Sequence, residues 1–346
     1  MSSTEQLDYP KQLIDYRDGF LVSKTMFTAC ELGIFDVLHD IGEPLSAAAI
    51  ASRLCTTVDG TERLLDACVG LKLLKVQMVN NDAMYSNTEV SSVYLVKSSP
   101  KTLFHMMMHH SQTFYKCWHF LPQAIREGSS QYERALGIPS KDTFEVLYRS
   151  DEEMMTLVYH MDAIWNISGK DVIQAFDLSE FHTVFDIGGC SGAIAKQFVS
   201  AYPGSMVTVM DLPKVIEIAK KYFMTENDHQ ISFLGGDFFN DTIPEADLYI
   251  LCRVIHDWSE DKCLQLLKKI YHSCRPGGAV LIIEFHLNED RSGPLTSQLR
   301  SLTMLVMTEG KERTPSEYRK LLADSGFRDF EFRVTGKMYG AFLGRK

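Results

Sequence analysis

No pair of cysteines in this sequence stands at Cys-x-x-Cys spacing, and the eight it has are scattered. Several fall inside apolar helical or strand patterns, where a free thiol packs as a small hydrophobe. The pattern reads as a reducing compartment without disulfides. Long membrane-spanning runs are missing too, since Lys24 and Glu31 interrupt the most apolar stretch, 19–38. The opening Met-Ser-Ser-Thr-Glu lacks the charged and apolar regions of a secretory leader, so the expected location is cytoplasmic. No Lys/Arg run offsets the net charge of −10, which argues against nucleic acid as the main partner. Repeats and low-complexity segments are absent as well.

What is present suits two domains with real cores: 346 residues, 45% of them apolar and 23% charged. The stretch 182–192, His-Thr-Val-Phe-Asp-Ile-Gly-Gly-Cys-Ser-Gly, organises the second of them. Val184, Phe185 and Ile187 give the unbroken apolar run of a parallel strand covered on both faces. Gly188, Gly189 and Gly192 allow a sharp turn into a helix over 193–202, whose free N–H groups point back at the turn. Roughly 20 residues on, a second strand (206–212) carries Asp211, a spacing that suits a carboxylate accepting from ribose hydroxyls.

Strands then alternate with helices: 231–236, 246–254, a helix over 260–274 with Ser259 as its cap and Gly277-Gly278 at its end, a strand over 279–287, and helices over 295–309 and 315–325. Strands at 327–334 and 338–343 close the sheet as an antiparallel pair. This is the pattern of a doubly wound, Rossmann-like α/β domain.

Ahead of it, residues 8–39 read as a wide apolar helical block broken at Gly33, wide enough for part of it to face a partner subunit. Helices over 46–54 and 59–74, then a hairpin around Asn80-Asn81-Asp82, make a winged-helix pattern. Its second helix exposes Glu62, Arg63 and Asp66 rather than a basic stripe, which favours a structural or dimer-forming role over DNA reading. Residues 100–176 continue as helices. His105 and His109 form an i, i+4 pair with no carboxylate at ligand spacing, so soft apolar packing by the intervening methionines is preferred to a metal site.

Three strand ends converge on one crevice: Gly188-Gly189, Asp211 and Asp237-Phe238. A nicotinamide protein would favour Gly-x-Gly-x-x-Gly in its turn. Here the turn is Asp-x-Gly-Gly, and an acid followed by an aromatic after the third strand could grip an adenine by its amino group and its face. No pyrophosphate needs holding in such an arrangement, so S-adenosylmethionine is preferred to NAD. The fourth strand runs into His256-Asp257-Trp258. An imidazole with an ordinary pKa near 6.5 is mostly neutral at pH 7 and can take the proton of a phenolic hydroxyl as it attacks a sulfonium methyl. A carboxylate on its far side would fix its tautomer, with Glu312 and Glu284 as candidates.

With these residues in view, the chain resembles the class I O-methyltransferases that act on small aromatic hydroxyls. Phe-Asp-Ile-Gly-Gly, Gly-Asp-Phe-Phe, Glu-Ala-Asp-Leu-Tyr-Ile-Leu, Ile-His-Asp-Trp, Arg-Pro-Gly-Gly and Gly-Lys-Glu-Arg-Thr carry the likeness. The resemblance implies a seven-stranded sheet and three regions: a winged-helix dimerisation domain (1–100), a helical linker lining the substrate pocket (101–178) and a methyltransferase domain (179–346). It implies that Tyr148, Trp165, Gly188, Asp211, Gly236, Asp237, Phe238 and Arg253 contact S-adenosylmethionine, released as S-adenosylhomocysteine. His256 matches the base, Glu312 its support and Asp257 a substrate contact. A homodimer is implied, and no metal. The acceptor would be N-acetylserotonin or another indole or phenol. Two departures stand out: in the cofactor's turn Cys190 stands where relatives carry a third glycine, and, bearing on the acceptor, Thr303 and Met307 stand where N-acetylserotonin methylators carry Asn and Gln. The rival readings are a non-catalytic ligand sensor and a DNA-binding regulator.

Overall fold

The computed structural model describes residues 10–137, 151–226, 228–336 and 338–346. Backbone packing divides the chain into two units, Met1–Gln112 and Thr113–Lys346. Helix Phe104–His109 packs on helix Lys11–Leu32 in the first, and helix Asp151–Ile173 packs on Ala193–Ala201 in the second. The segment read as a linker is thus shared between the two.

In the first unit the helical block breaks where expected, at Gly33, whose φ of 80° ends one helix and starts the next, Ile34–Ile41. Ser46 caps Ala47–Leu54 by accepting from the Ala49 N–H, and Thr57 does the same for Val58–Gly70. A three-stranded antiparallel sheet, β1 (Leu45–Ser46), β2 (Leu74–Val79) and β3 (Asp82–Asn87), forms the wing in the order β1-β3-β2. Its hairpin turns on Asn80 and Asn81, both at positive φ (51° and 69°), the backbone twist a two-residue hairpin needs and asparagine tolerates. Helix Lys11–Leu32 leaves Leu13, Tyr16, Phe20 and Leu21 more than half exposed.

The second unit is built on β4 (Thr183–Ile187), β5 (Met206–Asp211), β6 (Ile231–Gly235), β7 (Ala246–Cys252), β8 (Cys274–Glu284), β9 (Arg328–Val334) and β10 (Gly340–Arg345). They lie in the order β6-β5-β4-β7-β8-β10-β9, parallel as far as β8 and antiparallel beyond. Val184, Val209, Leu248 and Ile250 bury one face against Trp165, Val172 and Phe198. Phe185, Ile187, Tyr249 and Leu251 bury the other against Leu266, Leu267 and Ile270. Each such side chain contributes about 1.5–3 kcal/mol on burial, which is why β4 and β7 read as continuous apolar runs.

Two local expectations are corrected. Helix Glu260–Ser273 runs straight into β8, so Gly277 and Gly278 lie inside the strand, where a register shift against β7 accommodates them. Ser259 makes no side-chain cap; Thr314 does, in a reciprocal capping box with Glu317 at the head of Pro315–Asp324. The sheet reverses order at β4, with β5 and β6 to one side and β7 and β8 to the other. That reversal opens a crevice at the carboxyl ends of these strands.

Candidate active site

Beyond β4, Gly188 takes a φ of 69°, and a side chain on Gly189 would drive its Cβ to 2.5 Å from Asp186 Oδ2. Only glycine lets the turn close over that carboxylate. Asp186 is fully buried, and neither of its oxygens has a hydrogen-bond partner among the described residues. Burial, then the like charge of Asp211, push its pKa up to about 7. The neighbouring Cys190 adopts a left-handed φ of 52°, which aims its N–H at Asp211 Oδ2 (2.9 Å), while Oδ1 accepts from the Leu212 N–H (2.8 Å). Burial outweighs these two bonds and raises the Asp211 pKa to about 6. The Asp211 carboxylate is thereby held at the end of β5.

Gly236 donates its N–H to the Asp211 carbonyl (2.9 Å), which brings the third strand end beside the second. The Asp237 carboxylate accepts from the Phe239 N–H (2.8 Å) and from Asn240 Nδ2 (2.6 Å), so it holds its own turn together. Phe238 stacks tilted on Phe239, and both meet Trp258 edge-on. Arg253 follows β7 at a left-handed φ of 57°; its Nη1 reaches Met161 Sδ at 3.4 Å, and its buried Nε has no partner among the described residues. Trp165 is buried against Tyr339. Tyr148 lies outside the described residues.

On the other side of β4 a 3-10 turn, Ile255–Asp257, carries His256. Glu284, the last residue of β8, accepts the Val254 and His256 N–H groups on Oε1 (2.9 and 3.2 Å) and sets Oε2 3.4 Å from His256 Nδ1. Glu312 Oε1 lies 2.8 Å from the same Nδ1. Both carboxylate candidates therefore converge on one ring nitrogen, leaving Nε2 facing Asp257 Oδ1 at 3.7 Å. Burial alone would lower the imidazole pKa, but Glu284, Glu312 and Asp257 outweigh it and push the value up to about 9. Against the ordinary value near 6.5, the surrounding carboxylates favour the protonated ring.

Thr303 and Met307 sit on helix Leu295–Met307 and are both buried. The Thr303 hydroxyl donates to the Leu299 carbonyl (3.0 Å), and Met307 packs with Cys117, Ala124, Tyr132 and Val306. Sequence reasoning placed Asp186 in the strand end without giving it a role; an acid one residue before an apolar position and two glycines was the available signal.

Two family models match the chain. One, the O-methyltransferase domain, covers residues 118–328, and the other, the O-methyltransferase dimerisation domain, covers residues 14–97. The chain belongs to the O-methyltransferase family. The family resemblance of its motifs is thus borne out. Within that family the chain is 56% identical to the acetylserotonin O-methyltransferase of Gallus gallus and 49% identical to that of Homo sapiens, over the full length of each. The crystal structure of human N-acetylserotonin methyltransferase in complex with SAM superposes with a TM-score of 0.95, covering 100% of this chain and 99% of that one. The fold is that of an O-methyltransferase with its dimerisation domain. Among the described residues no helix is long and apolar enough to cross a membrane.

Proposed function

We propose that this enzyme moves the methyl group of S-adenosylmethionine to an aromatic hydroxyl, N-acetylserotonin being the leading acceptor, with His256 as the base. The observation that carries the reading is His256 itself: Nδ1 is held by Glu312 at 2.8 Å while Nε2 stands 3.7 Å from Asp257, beyond hydrogen-bond distance. The named relatives, acetylserotonin O-methyltransferases of full-length similarity, support the acceptor.

The residues of the crevice fit the methyl donor. An unpartnered buried carboxylate (Asp186), a second held at a strand end (Asp211) and the aromatic face of Phe238 match a cation, a ribose and an adenine in turn. Gly188, Gly236, Asp237, Arg253 and Trp165 belong to the same proposed set. When bound, the donor supplies an electrophilic methyl on a positively charged sulfur. Asp257 lies beside Nε2 and would orient the acceptor. The ring acts as a base in its neutral form, once the extra proton favoured by its carboxylates has left. A carboxylate at Nδ1 keeps the remaining proton in place, so Nε2 is the nitrogen that accepts the hydroxyl proton, and Glu312 then stabilises the resulting imidazolium.

His256, Glu284 and Glu312 also form the one group among the described residues with metal-like spacing. His256 Nδ1 is taken by Glu312 Oε1, and Glu284 Oε1 accepts two backbone N–H groups, which supports a metal-free reaction. Exposed Tyr16, Phe20 and Leu21 within the matched dimerisation domain support a homodimer. Val58–Gly70 exposes Asp59, Glu62 and Asp66, which supports no nucleic-acid role. The eight free cysteines support a cytosolic setting.

A second acceptor reading has its own observation. Thr303 spends its hydroxyl on its own helix, and Met307 offers a thioether, so neither presents an amide to a polar acceptor side chain. Each missing hydrogen bond costs about 1 kcal/mol. Incubation with labelled donor and a panel of N-acetylserotonin, other indoles and simple phenols, with and without EDTA, tests the whole proposal. Transfer to an oxygen that EDTA leaves unchanged is the expected result. No labelled product with any hydroxyl would leave a ligand-binding module instead.

A further inference from the structure

The turn that carries His256 is gripped at both ends of its peptide dipoles. Its N–H groups go to Glu284. Its carbonyls go to Arg313, the largest side chain among the fully buried ones. Arg313 Nη1 donates to the Ile255 carbonyl (3.1 Å) and to that of Lys311 (3.2 Å), and Nη2 donates to the Trp258 carbonyl (3.2 Å) and reaches Cys263 Sγ at 3.6 Å. One guanidinium therefore ties the residues on either side of His256 to the residue just before Glu312. A planar fork does this from two separated nitrogens, whereas an ammonium carries all its donors on one.

Gly310 presses on the same turn from its other end. A Cβ on it would land on the His256 carbonyl oxygen and carbon and on the Asp257 carbonyl carbon, all backbone atoms that cannot swing aside. The Arg313 main chain is fixed in turn, its carbonyl accepting from the Leu287 N–H at 3.0 Å just beyond β8. Glu312 lies between these two fixed points, and its carboxylate meets the imidazole at 2.8 Å.

We propose that Gly310 and Arg313 are positioning residues that act together as a clasp, setting the distance between the His256 peptide and the Glu312 carboxylate. Arg313 is 2% exposed, and its donors face backbone carbonyls and the Cys263 sulfur. Their effect on the reaction runs through the Glu312–His256 hydrogen bond. The inference rests on reading His256 as the base.

A double-mutant cycle separates such a role from general support of the fold. Arg313→Lys, Glu312→Ala and the double variant are compared for kcat at saturating donor and acceptor, with S-adenosylhomocysteine affinity measured by calorimetry on each. A clasp acting through Glu312 predicts that Arg313→Lys lowers kcat about tenfold alone and less than about twofold in the Glu312→Ala background. Affinity for S-adenosylhomocysteine should stay within about twofold throughout. Gly310→Ala, which leaves every charge in place, should give the same non-additive pattern and decides the matter if Arg313→Lys does not fold. Equal losses in both backgrounds would overturn the proposal. His256→Ala is run in parallel: retained turnover there would refute the base, whereas lost turnover with an additive cycle would refute the clasp alone.

Discussion

Two groups of buried carboxylates occupy the carboxyl edge of the same sheet, and they are balanced differently. On the β7–β8 side, Glu284 and Glu312 close on the imidazole of His256, so the negative charge has a resident partner and the ring is driven to hold a proton. On the β4–β5 side, the charge of Asp211 adds to the cost of ionising Asp186, and Asp186 has no hydrogen-bond partner among the described residues. Buried charge without a partner is expensive. A fold that keeps it is prepared for a ligand that brings a cation. The contrast supports the proposed division, with donor binding on one side of β4 and proton transfer on the other.

Removing the two halves one at a time should separate affinity from chemistry. Asp211→Ala deletes the carboxylate at the end of β5, and charge-assisted hydrogen bonds of this kind are worth about 1.5–3 kcal/mol each. Donor affinity measured by calorimetry should fall about a hundredfold while kcat at saturation changes far less. Equal losses in both would merge the two sides into one.

Glu284→Gln sharpens the other half. It keeps an acceptor for the Val254 and His256 N–H groups but removes a negative charge 3.4 Å from Nδ1. Less charge beside the ring lowers its pKa, so the base becomes free at lower pH. The acid limb of the kcat–pH profile should move down by about one unit. A limb that stays put would mean that Glu284 only holds the backbone.

The smallest effect is a proton count. With pKa values of about 7 and 6, Asp186 and Asp211 are partly protonated at pH 6.5, and a bound sulfonium lowers both. Calorimetry in two buffers of different ionisation enthalpy should report release of on the order of half a proton with S-adenosylmethionine and less with S-adenosylhomocysteine. Equal release with both would remove the sulfonium from the explanation.

Much of this arrangement is legible in the residues. The apolar runs at Val184–Ile187 and Leu248–Leu251 require a strand buried on both faces, and the interval from the glycine turn to Asp211 brings that acid to the same crevice. Asn80-Asn81 specifies its own turn through left-handed tolerance. Convergence is what sequence does not display. Glu284 and Glu312 are alternatives for one role until the sheet and the loop before Pro315 bring both to Nδ1, where together with Asp257 they raise the imidazole. The π-helical turn His110–Phe114 and the direct passage from Ser273 into β8 follow from tertiary packing and have no local signature. The Asp-x-Gly-Gly turn by itself gives Asp186 no role, because its isolation depends on Gly189 closing over it.

The division of labour is tested most directly on His256→Ala, assayed for methyl transfer to the best acceptor and for S-adenosylhomocysteine affinity in the same preparation. General-base catalysis of this kind contributes about a hundredfold to ten-thousandfold. The account predicts a loss of that size in single-turnover rate with affinity within about twofold of the unaltered enzyme. An unchanged rate, or a rate and an affinity that fall together, would contradict it.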